Sequence, residues 1–199
     1  MTPFLYPTQP LVRRHGPQGY AEVQSFRPWL RDEFGFRCVY CLLREQWGRP
    51  VGTFDIDHFL PVSLQPQWQR TYDNLVYACA SCNAVKGNRP VPDVTVLLLD
   101  PGVWVTEDGV IHAAAPQAAR LIELLGLDDA QSTEFRLLWI GIIALAARYD
   151  APLYRRLMGL PDNLPDLKRL RPPGGNTRPE GVKTSYFAKR RAGTLPPEY

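Results

Sequence analysis

Hydrophobic positions change period several times along the 199-residue chain, and each change marks an element. Phe26, Trp29, Leu30 and Phe34 recur at helical spacing. They predict a short helix over 25–34, capped by Ser25, with Pro28 in its first turn and Gly35 as its stop. Residues 53–59 alternate as a strand does, with Phe54 and Ile56 on one side and Asp55 and Asp57 on the other, and the strand ends near His58. A polar, aromatic loop over 61–73 leads to a second short strand over 75–78. A short helix over 81–86 then stops at Gly87. Residues 94–99 are β-rich, and 103–111 read as a hairpin turning at Asp108-Gly109. Helices follow over 113–125 and 130–149, and a last short one over 153–160. The second of these carries Phe135, Leu138, Trp139, Ile142, Ile143, Leu145 and Ala146 around much of its circumference. That predicts a central helix or, alternatively, one covered by a partner.

The two ends break these periods. Pro3, Pro7, Pro10 and Pro17 predict an extended arm over 1–24, and its Arg13-Arg14-His15 cluster reads as a solvated tail or as a strap along a phosphate backbone. From Pro161 the chain is rich in Pro, Gly, Lys and Arg, a composition expected to stay irregular and to suit nucleic-acid contact. Composition adds bounds. With 45% hydrophobic residues the chain can build one domain with a real core, and a formal charge of +3 permits a nucleic-acid partner without demanding one. No secretory signal is visible, and the apolar run over 137–147 is too short to span a bilayer. A cytoplasmic, non-membrane protein is the expectation.

In that reducing setting the four cysteines are expected to bind metal rather than form disulfides. They fall in two Cys-x-x-Cys pairs, Cys38/Cys41 and Cys79/Cys82. Two such knuckles close a tetrahedral Zn²⁺ site, and four thiolates leave no position for water, so this zinc is structural. Asp57-His58 lies between the pairs, Asn74 before the second, and Asn83 directly after its last cysteine.

The order Cys-x-x-Cys, Asp57-His58 with Pro61 three residues on, Asn74-Leu75, then Cys79-x-x-Cys82-Asn83-x-x-Lys86-Gly87-Asn88 resembles the four-cysteine zinc branch of the HNH (ββα-metal) endonucleases. The resemblance covers about a quarter of the chain. It implies that His58 is the general base, that Asp57 and Asn83 hold a catalytic Mg²⁺ or Mn²⁺, and that Asn74 pins the loop bearing His58. The family often has histidine where Asn83 stands. The chemistry agrees: a neutral imidazole can take a proton from water, and hard oxygen ligands suit such an ion. Asp55 is an extra acidic group near the metal or simply exposed. Arg37, Lys86 and Arg89 lie near the knuckles and are candidates for phosphate contact, with Arg44, Arg49 and Arg70 as further ones. His112, without acidic or cysteine neighbours, is read as structural.

The expected architecture is α+β: a ββα-metal core stapled by the four-cysteine zinc site, with a β-hairpin and a C-terminal helical lobe. The divisions are an arm over 1–24, a nuclease core over 25–92, a hairpin and helical support region over 93–160, and a basic tail over 161–199. DNA is the expected substrate, with RNA not excluded. The alternative is a non-catalytic zinc-stabilised nucleic-acid-binding or interaction subunit of a larger complex. By analogy, small HNH proteins of similar organisation accompany ATPases in bacterial phage defence, so an ATPase is one expected partner and phage defence or restriction one expected setting.

Overall fold

The computed structural model describes residues 2–9, 11–48, 52–91 and 102–199. The β-rich stretch 94–99 and Arg49 lie outside the described residues. The protein mixes helices with small sheets, an α+β arrangement.

The first helix, α1, runs Arg27–Glu33 and follows a 3₁₀ turn over Val23–Phe26. It starts later than the sequence predicts, because Pro28 sets its first turn and Ser25 falls inside the 3₁₀ turn instead of capping. Phe26, Trp29, Leu30 and Phe34 are all buried, so the predicted face is core.

Strand β1 (Phe54–His58) pairs antiparallel with β2 (Leu75–Cys79), Asp57 facing Val76 and Asp55 facing Ala78 across the ladder. Helix α2 (Ala80–Lys86) follows β2 without a break and packs against both strands. Gly87 ends it at φ +55°, a conformation that costs a residue with a Cβ.

Strands β3 (Val103–Val105) and β4 (Ile111–Ala113) form the expected hairpin, with Gly109 at φ +80° in the turn. His112 stacks on Trp104, in keeping with a structural histidine. Helix α3 spans Pro116–Leu124, starting at its proline because β4 uses the residues before it. Helix α4 spans Ala130–Tyr149, with the Asp129 carboxylate capping it by accepting from the Ser132 N–H. Helix α5 follows over Ala151–Met158.

Helix α4 is not central. Only Arg136, Ile140, Ile143 and Ala146 are buried along it, while Leu137, Leu138 and Leu145 are 49%, 60% and 61% exposed. Its inner side rests on the body through Trp139, stacked on Trp47.

Both ends depart from the solvated reading. Phe4 and His15 of the arm are fully buried. His15 pairs through Nε2 with Asp32 at 2.9 Å, and Glu33 accepts the backbone N–H groups of Arg14 and His15. The C-terminal segment folds back over the arm. It carries two short helices, α6 (Glu180–Lys183) and α7 (Tyr186–Arg191), and buries Leu160, Leu164, Leu167 and Ser185. Its Arg178 grips Asp73 with two bonds of 2.9 Å and donates to the His15 carbonyl. Arg13 donates to the Leu75 carbonyl at 2.7 Å. Arm and tail therefore brace the residues on either side of Asn74. Arg13, Arg14, Arg178 and Arg190, which composition assigned to solvent or phosphate, here pair with carboxylates and carbonyls.

Candidate functional site

The two knuckles are built by different local means. After the first, the chain turns back sharply: Leu42 sits at φ +60° and donates its N–H to the Cys38 carbonyl. The Val39 N–H then bonds the Tyr77 carbonyl of β2, which docks this turn beside the second knuckle. The second knuckle is the β2–α2 junction itself. The Cys79 sulfur accepts the N–H of Cys82 at the helix start.

All four sulfurs lie within 4.8 Å of one another. The Cys41 and Cys79 sulfurs are 3.7 Å apart, far beyond a disulfide and close to the ~3.8 Å edge of a tetrahedron with Zn–S bonds of ~2.3 Å. Three of the four residues are buried. The thiol of Cys79 is pushed down because those of Cys38, Cys41 and Cys82 all hydrogen-bond to it, while burial pushes Cys38 up. Sulfurs packed this closely can all ionise only around a cation. The donor set fits Zn²⁺, with no fifth group needed to close it.

The other cluster lies where α2 crosses β1. Asp55 and Asp57, two apart on the strand, point to one side. Asn83 and Lys86, three apart on the helix, face them. The contacts pair off in an order the sequence did not predict. The Asn83 amide lies 3.5 Å from the Asp55 carboxylate. Asp57, only 4% exposed, takes the Lys86 ammonium on one oxygen at 2.9 Å and the Tyr40 hydroxyl on the other at 2.6 Å. Lys86 is itself 1% exposed, so its charge meets Asp57 rather than solvent. Burial, and then the charge of Asp57, pushes the Tyr40 phenol well up, so it remains a donor.

Asp55, Asp57 and Asn83 are the hard-oxygen donors of this face. Asp55 and Asn83 stand side by side, so the amide with its oxygen turned inward would give two adjacent oxygens suited to a six-coordinate ion. Asp57 already has a counter-charge, and an ion bound there competes with the Lys86 ammonium.

His58 ends β1 and is partly exposed. Its Nε2 lies 2.8 Å from the Gln69 carbonyl. A carbonyl only accepts, so Nε2 donates the proton, and in the neutral imidazole Nδ1 is the nitrogen with the lone pair. Asn74, 3% exposed, accepts the Leu60 N–H at 3.1 Å and donates to the Leu60 carbonyl at 3.0 Å and the Trp68 carbonyl at 3.4 Å. It thus ties together the loop between His58 and Gln69.

The cationic candidates scatter. Arg89 folds over the end of α2, donating to the carbonyls of Lys86 and Val85. Arg37 is half-buried and lies over the Tyr199 ring, away from the carboxylates in its contacts. Arg44 is 2% exposed, with its ordinary value lowered to about 10 by burial and by Arg37, and cannot serve as a surface phosphate contact. Arg70 stays exposed on the loop.

Sequence reasoning missed Tyr40, and it did not foresee that Lys86 turns inward. Tyr40 hides among the variable positions of the first knuckle, where nothing in spacing marks it. The Lys86–Asp57 pair did leave a signal: a basic and an amide side chain three apart on a helix, next in the fold to two carboxylates two apart on a strand.

Among the described residues no helix is long and apolar enough to cross a membrane. No curated protein and no solved structure matches the chain. The family model described as HNH endonuclease matches residues 38–89, which run from the first cysteine through β1, β2 and α2 to Arg89 and contain both clusters. That match points to nuclease-type activity in general.

Proposed function

We propose that the protein is a metal-dependent endonuclease that hydrolyses phosphodiester bonds of DNA. The observation that carries this reading is the crossing of β1 and α2, which gathers Asp55, Asp57 and Asn83 on one face, next along the strand to a histidine of fixed tautomer. His58, held through Nε2–H on the Gln69 carbonyl, accepts the proton of the attacking water at Nδ1. Asn74 positions it by bracing the loop that supplies that carbonyl. Asp57 and Asn83, with Asp55 beside the amide, would hold a divalent ion such as Mg²⁺ or Mn²⁺. Such an ion supplies charge for the transition state and for the leaving 3′ oxygen. Tyr40 and Lys86 fix the orientation of Asp57 and balance its charge in the dry interior. Arg37 and Arg89 are the proposed nucleic-acid contacts, with Lys86 reaching phosphate only if it leaves Asp57.

The test is incubation of end-labelled DNA with Mg²⁺ or Mn²⁺ and with EDTA. The expected products carry 5′-phosphate and 3′-hydroxyl ends and form only with the metal; 3′-phosphate ends would refute the mechanism. A setting in phage defence or restriction, with an ATPase partner, belongs to the same proposal and rests on resemblance alone. Its check is loss of protection from phage when His58→Ala replaces the wild type in cells.

One observation favours a second reading. Both oxygens of Asp57 already have partners, as they would in a non-catalytic zinc-stabilised module that binds nucleic acid or a protein. A folded, zinc-loaded protein that binds DNA equally well with EDTA or Mn²⁺ and never cuts it would support that reading.

A further inference from the structure

The outward side of helix α4 is a surface that the site does not use. Residues 134, 138, 141, 145 and 148 follow one another at spacings of four and three, so they form a single seam along the helix. The seam is directed away from the buried side made by Arg136, Ile140 and Ile143. Leu138 and Leu145 lie on it and Leu137 beside it, all three about half exposed or more. They line a shallow groove with a volume of about 650 Å³. At its middle is Gly141, and a Cβ built there would meet nothing within 4 Å. Glycine inside an exposed helix costs ~1 kcal/mol relative to alanine, and what it offers in return is room for another backbone.

The pattern about Gly141 is symmetric. Seven residues before it stands Glu134, and seven after it Arg148, each ~10 Å along the axis at ~1.5 Å per residue. Leu137 and Leu145 are each four residues from it, and Leu138 and Ala144 each three. Two such helices crossing antiparallel at Gly141 set each Leu137 against Leu145 of the second copy and each Leu138 against its Ala144. Each Glu134 then meets Arg148 of the second copy. A parallel pair would oppose glutamate to glutamate and arginine to arginine and would align the helix dipoles unfavourably. Self-complementarity of this kind is what a twofold interface requires, because one patch must fit itself.

We propose that the outward face of α4 is a homodimer interface in which two copies cross antiparallel at Gly141. The proposal is independent of the reading of the site. It is tested on the full chain by sedimentation equilibrium over a range of concentrations. The wild type is expected to show a concentration-dependent dimer. Glu134→Lys and Arg148→Glu are each expected to weaken it roughly tenfold, and the double charge swap to restore it. Gly141→Leu is expected to abolish the dimer while leaving the thermal stability of the monomer, compared at concentrations where both proteins are dissociated, unchanged or raised, since it adds helix propensity at an open position. A wild type that stays monomeric throughout overturns the proposal, whether or not another protein later covers the face. So does a double swap as dissociated as the single variants, or a Gly141→Leu protein that still dimerises.

Discussion

The sulfur cluster and the carboxylate cluster sit on the same β1–β2–α2 unit, yet they meet the cost of buried charge in opposite ways. Four sulfurs lie within 4.8 Å of one another, a donor set and spacing that would suit a metal such as Zn²⁺ as their counter-charge. Asp57 carries its counter-charge within the chain, in the Lys86 ammonium at 2.9 Å, with Tyr40 completing its hydrogen bonds. The first cluster has the make-up of a closed staple. The second is neutralised from within, and under the proposed function a divalent ion would have to contest what the lysine holds. Asp55 and Asn83 stand next to it with oxygens that such an ion would use.

The largest effect expected from breaking this contrast is at the staple. Metal binding contributes ~10 kcal/mol or more to small zinc domains. Cys82→Ala, or extraction of zinc with a strong chelator, should therefore cost the cooperative thermal transition of this unit, followed by calorimetry alongside zinc content. A lesser loss is expected from Lys86→Met, which leaves the Asp57 carboxylate buried without its partner, at ~3–5 kcal/mol. The contrast becomes sharper if Mn²⁺ is added. Mn²⁺ should raise the melting temperature of Lys86→Met more than that of the wild type, because the lysine no longer competes. Equal shifts would sever the link between Lys86 and the ion.

Next comes Asn74→Ala, which removes the partner of the Leu60 N–H and of two carbonyls. About 1–3 kcal/mol should be lost in chemical denaturation. The cleavage rate should fall further than stability accounts for, since the carbonyl orienting His58 lies in the same loop. Smallest in stability is Asp55→Asn, expected within ~0.5 kcal/mol of the wild type. Its effect should appear instead as weaker Mn²⁺ binding, read by electron paramagnetic resonance of the free ion.

How much of this was legible in the sequence differs between the same two clusters. Cysteines in paired Cys-x-x-Cys turns announce a metal through spacing alone, and the strand–strand–helix order around them was readable from period and from Gly87. The span of α4 over 130–149 was equally plain. Its place in the molecule was not. Apolar coverage cannot distinguish a helix buried by its own chain from one with an uncovered side, and Leu138 and Leu145 turned out to be exposed. The wiring of Asp57 was hidden for a related reason. Alternation put it opposite Phe54 and Ile56, which in a one-sided sheet means solvent. Here α2 covers that other side, so Asp57 is buried too. Ends rich in proline and arginine looked solvated because their partners are remote in sequence: Arg178 reaches Asp73 and His15, and no local period encodes such a pair.

Under the proposed function His58, next along β1 to Asp57, is the base of a phosphodiester hydrolase. The most direct test is cleavage of supercoiled plasmid by wild type and by His58→Ala, both with equal zinc content and the same melting curve, in Mg²⁺ or Mn²⁺ and in EDTA. Metal-dependent nicking that disappears in His58→Ala is the predicted result. Equal activity of the two proteins, or no cleavage by either, would contradict it.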